Sequence, residues 1–125
     1  MWVIDRSKTT WKELNRFLKN DVGKTQPGYL KIEANGKYTI KDMPNFWSFP
    51  CPAEPLQCCS GEWWTSTNLS DQTACLWLDV KNVNGKKIDS EESAHIYFMQ
   101  EGNMIYLSVI ILDPDSDDIL VLKKH

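Results

Sequence analysis

The stretch Tyr29-Leu30-Lys31-Ile32-Glu33-Ala34-Asn35-Gly36-Lys37-Tyr38-Thr39-Ile40-Lys41 decides the fold. Apolar and polar residues alternate on both sides of Asn35-Gly36, the period of a strand with one buried face. A two-residue Asn-Gly loop would set Ile32 opposite Thr39 and divide the apolar side chains between two faces. A three-residue loop, Ala34-Asn35-Gly36, pairs Ile32 with Tyr38 and Leu30 with Ile40 instead. Gly36 then supplies the left-handed residue of a G1 bulge. A slip of one residue flips every side chain, so the second register is the expected one.

The same reading extends outward. Trp2-Val3-Ile4 reads as a short opening strand. After it, Trp11, Leu14, Phe17 and Leu18 recur at helical spacing behind a Thr10/Glu13 capping pair, which predicts one short helix over about residues 10–20. Residues 42–60 carry Pro44, Pro50, Pro52 and Pro55, three cysteines and the aromatics Phe46, Trp47 and Phe49. Such a segment predicts a long loop, either packed on the core or used for recognition. Beyond it, Gly61-Glu62-Trp63-Trp64-Thr65 begins a strand, and adjacent Trp63 and Trp64 must point to opposite faces. Ala74, Leu76, Leu78 and Val80 alternate with Cys75, Trp77, Asp79 and Lys81. Residues 94–99, 104–112 and 119–122 continue the pattern. The run from Ile105 to Leu112 is apolar on both faces apart from Ser108, and is expected to be covered on both sides. The whole predicts one all-β domain over residues 1–125. It is an antiparallel meander of about seven or eight strands, closed as a small barrel or folded as a sandwich, with the one N-terminal helix.

Composition bounds the function. Within 125 residues, 42% hydrophobic and 25% charged is globular composition, and no apolar run approaches the roughly 18 residues of a membrane-spanning helix. No membrane insertion is therefore expected. Net charge is −3, unevenly spread: residues 1–50 balance at +4 and residues 89–125 at −6. Binding of nucleic acid through bulk charge is not expected, whereas the acidic end is suited to steering a positively charged partner. Residues 1–25 hold no basic segment followed by an apolar one, so a cytoplasmic location is expected. A periplasmic one is the alternative if Met1 stands in front of a trimmed chain. Cys51, Cys58, Cys59 and Cys75 are compatible with free thiols or with two disulfides.

No catalytic, metal or cofactor site is expected. The cysteine gaps do not match zinc-ligand pairs. The turn Asp113-Pro114-Asp115-Ser116-Asp117-Asp118 resembles the start of a calcium loop, but puts Asp118 where that loop needs glycine and Lys124 where it needs glutamate. His95 and His125 have no recognisable nucleophile context, no glycine-rich phosphate cradle is present, and Glu91-Glu92 reads as a solvated pair. Six tryptophans in 125 residues is a high load; they are compatible with core packing throughout, or with one of Trp63 and Trp64 lying outside, under the helix or the proline loop or in an interface.

Four segments carry a resemblance: KIEANGKYTI (31–40), MPNFW (43–47), SGEWW (60–64) and DPDSDDILVLKK (113–124). An Asn-Gly hairpin, an aromatic Asn45-Phe46-Trp47 loop, the strand Ser60-Gly61-Glu62-Trp63 and a late Asp113-Pro114-Asp115 turn resemble a group of small bacterial all-β proteins. Leu112 stands where that group has glycine. The chain also resembles calycin-type barrels, which open on a Gly-x-Trp strand, although here that motif falls in mid-chain. Proteins resembling the first group are often encoded beside secreted toxins and serve as immunity proteins, including in contact-dependent growth inhibition. The resemblance implies a non-catalytic protein that binds and masks a cognate toxin with a basic surface, such as a nuclease. On that reading Glu91, Glu92, Asp113, Asp115, Asp117 and Asp118 steer association, and Phe46, Trp47 or Trp64 anchors it. The calycin likeness implies the alternative, a carrier of a small apolar ligand held inside the barrel by Trp77, Tyr97 and Tyr106.

Overall fold

The computed structural model describes residues 1–12, 28–47, 57–67, 74–111 and 118–125. The expected helix lies outside the described residues beyond Lys12, as do residues 48–56 of the expected loop 42–60. The ends of that loop are instead strand, 42–43 in the third strand and 57–60 in the fourth, where backbone pairing carries the chain to the prolines on either side. Eight strands follow one another: β1 (Trp2–Ile4), β2 (Tyr29–Ile32), β3 (Lys37–Met43), β4 (Gln57–Thr67), β5 (Ala74–Val83), β6 (Lys86–Glu101), β7 (Met104–Ile110) and β8 (Ile119–Lys124). Each pairs antiparallel with the next, and β8 returns to β1 to close a barrel. Among the described residues every strand therefore has a paired neighbour on both sides, which is how a closed barrel avoids open sheet edges.

The β2–β3 hairpin has the expected register, with Leu30 opposite Ile40 and Ile32 opposite Tyr38. Gly36 takes φ 86°, and its N–H donates to Glu33 O. Leu30, Tyr38 and Ile40 thereby enter one contiguous buried cluster with Leu76, Leu78, Ile96, Leu107, Leu120 and Leu122. An eight-stranded barrel has an interior just wide enough for side chains to fill, and here those side chains occupy it. Full burial of each is worth roughly 2 kcal/mol, which is what a one-residue slip of any strand would forfeit.

One end of the barrel is plugged by aromatics. Trp11 lies beside β8, its N–H donating to Ile119 O, and Phe46 and Trp47 follow directly from β3. All three are buried members of the core cluster. The opposite end bears the β6–β7 turn, where Phe98, Met104 and Ile105 are exposed. This corrects the expectation that the strand from Ile105 onward is covered on both sides. Only its middle is: Ser108 and its cross-strand partner Val121 are buried on the outer face, and Thr9 bonds to the Val121 backbone in both directions.

The Gly-x-Trp segment is explained by the packing on β4. Gly61 faces inward opposite Tyr38, at a register shift between β4 and β5. A Cβ there would overlap the Asp79 carbonyl oxygen. Its absence leaves room for the Tyr38 hydroxyl to donate to that same oxygen at 3.1 Å. Two residues on, Trp63 packs against the core and donates its indole N–H to Glu33 O at 2.7 Å, tying β4 to the β2–β3 turn. Burial, above all, pushes the Tyr38 phenol upward and the Cys59 thiol beside it up to about 12.

Candidate functional site

Strands β4, β5 and β6 are the longest in the barrel, and their outer face carries a row of stacked rings. The register places Trp64 opposite Trp77, and Trp77 opposite His95. Trp64 and Trp77 lie parallel within 7°, centroids 6.2 Å apart. Trp77 and His95 lie within 6° at 4.1 Å, and Tyr97 tilts against His95 at 4.5 Å. The Trp77 indole N–H donates to Ser66 Oγ at 2.9 Å, which fixes the middle ring. Alternation along the strands dictates the arrangement. Leu76, Leu78, Ala94 and Ile96 point inward, so Trp77, His95 and Tyr97 point outward. Offset stacking of this kind contributes about 1 kcal/mol per pair beyond area burial.

The imidazole is enclosed by its neighbours. His95 Nε2 is buried with no hydrogen-bond partner among the described residues, and desolvation lowers the His95 pKa from its ordinary value. At neutral pH the ring is uncharged and acts as one more flat surface in the stack. Trp64 ends the row and is 46% exposed.

Beside Trp64 lies a shallow depression of about 370 Å³, lined by Trp64, Asp79, Lys81, Glu92 and Ser93. Its charge is uneven. Glu62 and Asp79 sit directly opposite one another on β4 and β5, with Lys37 opposite Glu62 on the other side. Like charges in that position repel. Lys81 Nζ answers part of the repulsion by pairing with Asp79 Oδ2 at 2.9 Å. The result is a flat apolar ring next to carboxylates and lysines in equal number.

The residues expected to bind a partner are distributed as follows. Trp64 and Glu92 line the same depression. Phe46 and Trp47 are buried, 4% and 5% exposed, and serve as core plugs rather than surface anchors. Asp118 sits at the start of β8, where its carbonyl accepts from Ile111 N. Asp113, Asp115 and Asp117, and the Glu91 side chain, lie outside the described residues. The residues expected to line the interior are placed differently. Trp77 and Tyr97 belong to the outer stack, and Tyr106 lies outside under the Lys8 ammonium, 5.0 Å from its ring centroid.

Sequence reasoning did not single out Asp79 or Ser93, although the alternation that exposes Trp77 also exposes Asp79. Among the described residues no group of three or more metal-ligating side chains is assembled, and Cys58 and Cys59 are free thiols. A second depression, lined by Asp5, Arg6, Ser7, Lys123 and His125, lies near the chain ends. There the Asp5 carboxylate is already occupied by Ser7 and Lys8, and its hydrogen bond from the Ser7 hydroxyl is the largest cause holding its pKa below the ordinary value. No protein-family model, no curated protein and no solved structure matches this chain.

Proposed function

We propose that this chain is a non-catalytic binding protein of the immunity type, which neutralises a cognate bacterial toxin by covering its active site. On this reading it docks through the outer face of β4, β5 and β6. The observation that carries the reading is the meeting of an exposed, pre-stacked indole with a carboxylate in one depression: Trp64 beside Asp79. A rigid aromatic flanked by charge is the usual composition of a binding hot spot, because it offers contact area at little cost in side-chain entropy. The acidic segment 89–125, with eight acidic and two basic residues, supplies the field that draws in a basic partner. The carrier reading has less support, since the interior is occupied by the core cluster and Trp77, Tyr97 and Tyr106 face away from it.

Capture tests the proposal. Tagged chain is mixed with lysate of the cells that encode it, and complexes are read by native mass spectrometry. The expected result is a stoichiometric complex with a basic protein whose growth inhibition is relieved by co-expression of this chain. The variant carrying Trp64→Ala, Asp79→Asn and Glu92→Gln together should lose both effects. A chain that stays alone, or a partner held equally well by the triple variant, would overturn it.

A further inference from the structure

We infer that His95 is a pH-sensitive latch on the stacked face: the neutral imidazole holds the row of rings together, and the protonated one leaves it. Two features of the geometry carry the inference. His95 is an inner ring of the row, parallel to Trp77 at 4.1 Å and against Tyr97 at 4.5 Å, so it backs the platform that ends in Trp64. Its Nε2 is buried and has no hydrogen-bond partner among the described residues. A neutral imidazole tolerates that position, since only an uncharged ring nitrogen goes without a partner. An imidazolium does not. Both of its nitrogens are donors, and Nε2–H becomes a charged donor sealed from water.

Among the described residues, nothing packed around the ring compensates the charge. On β4 the row offers Trp64, with Glu62 two residues away and opposite Asp79. On β5 it offers Trp77, and the acid on that face, Asp79, lies opposite Ser93 and is paired with Lys81 at 2.9 Å. On β6 the flanking residues of the same face are Ser93 and Tyr97, while Glu92 lines the depression beside Trp64. On β7 Ser108 stands opposite Tyr97. Burial alone lowers the His95 pKa, with no charged neighbour contributing. The attraction of a cation for the indole face acts the other way. The unpartnered charged donor outweighs it, because hydrogen bonds to charged groups are among the strongest a protein makes and this one is forfeited in the stack. His95 is only part-buried as a whole, so a change of rotamer brings Nε2 to water. Trp77 then loses the ring at 4.1 Å and keeps Ser66 Oγ and Trp64. The consequence for docking rests on the binding reading above: the platform is ordered at neutral pH and loosened in acid. The latch itself belongs to the free chain.

The test is an NMR titration of the isotope-labelled full chain from about pH 8 to about pH 4.5. It reads the His95 Cε1–H and the indole N–H groups of Trp64 and Trp77, with His125→Gln assigning the two histidine signals. At neutral pH the Cε1–H should carry the ring-current shift of its stacked neighbours. It should titrate with a midpoint below the ordinary 6.5 and lose that shift as it does. Both indole signals should move with the same midpoint, and their ¹⁵N heteronuclear NOE should fall. His95→Phe keeps a flat ring without a titrating nitrogen, so the indole signals should hold their neutral-pH positions throughout. His95→Gln removes the ring as well, so they should resemble the acid form already at pH 8. Amide dispersion in each variant checks that the barrel is intact. A midpoint at or above 6.5 with the ring-current shift retained would mean that the cation stays in the stack, and would overturn the inference. So would indole signals that move with a different midpoint, or that move equally in His95→Phe, since the neighbouring carboxylates would then be the cause. The two readings fail separately: the titration is made on the free chain and rejects only the latch, whereas an absent partner in the capture rejects the binding function.

Discussion

Replacing Gly61 by alanine is the change to which the barrel should be most sensitive for its size. The added Cβ would overlap the Asp79 carbonyl oxygen and stand 3.0 Å from its carbon and 3.1 Å from Lys81 N. Carbon contacts relax only near 3.5 Å or beyond, and all three neighbours are backbone, so β5 must move away from β4. The movement has identifiable costs. The buried bond from the Tyr38 hydroxyl to Asp79 O is lost or stretched, and one or two ladder bonds at the register shift go with it. At about 1 kcal/mol per bond, with a further penalty for stranding a buried hydroxyl, the sum is about 3–4 kcal/mol. That is a large part of the roughly 5–15 kcal/mol by which a domain is stable, and corresponds to a fall in Tm of about 10–15 °C. Gly36→Ala is the matched control. Nothing lies within 4 Å of its Cβ position, but φ is 86°, so only backbone strain of about 1 kcal/mol is incurred. Equilibrium urea unfolding of both variants, followed by tryptophan fluorescence, gives the comparison. If Gly61→Ala costs no more than Gly36→Ala, the close approach of β4 and β5 is not what glycine is there to permit.

Other outcomes follow from individual groups. Burial pushes the Cys59 thiol up to about 12, so iodoacetamide at pH 8 should label the partly exposed Cys58 in the native state and Cys59 only after unfolding. Peptide mass mapping reads this, and equal labelling of the two would contradict the packing of Cys59 against Tyr38. Desolvation lowers the His95 pKa in the fold, so the unfolded chain takes up that proton at higher pH than the native one. Its contribution is constant above the unfolded value of about 6.5, and stability declines as pH drops below it toward the native value. His95→Gln should flatten that slope in urea midpoints measured from pH 7.5 to 5, and an unaltered slope would assign it to other groups. Trp63→Phe removes the donor to Glu33 O and should cost about 1–2 kcal/mol by the same unfolding assay, where a neutral result would deny that bond a role.

The features legible in the sequence were those with a local cause. Alternation around Asn35-Gly36 was enough for the register of the β2–β3 hairpin, because the alternative register splits its apolar residues. The adjacent pair Trp63-Trp64 had to face both ways, and it does, with Trp63 against the core and Trp64 exposed. For Phe46 and Trp47 the sequence leaves core packing and recognition both open, because burial at the end of a barrel leaves no period; the structure buries them. Their environment is set by where β3 leaves the wall, which is a tertiary matter. The calycin likeness places Trp77 and Tyr97 inside, although their own alternation with Leu76, Leu78 and Ile96 puts them outside. Asp79 is not legible as a site residue, because a single acid in a strand has no motif. Its meaning comes from Glu62 and Trp64 on β4, some fifteen residues earlier in the chain, and only strand pairing brings them together.

The central claim is that the outer face of β4, β5 and β6 is where a partner sits. Hydroxyl-radical footprinting of the captured complex against the free chain tests it most directly, since the exposed side chains report from two separate surfaces. Trp64 reports the stacked face, and Phe98 and Met104 report the β6–β7 end of the barrel. The account predicts that Trp64 is protected in the complex while Phe98 and Met104 oxidise as in the free protein. Protection at Phe98 and Met104 with Trp64 unchanged would contradict it and move the binding surface to the end of the barrel.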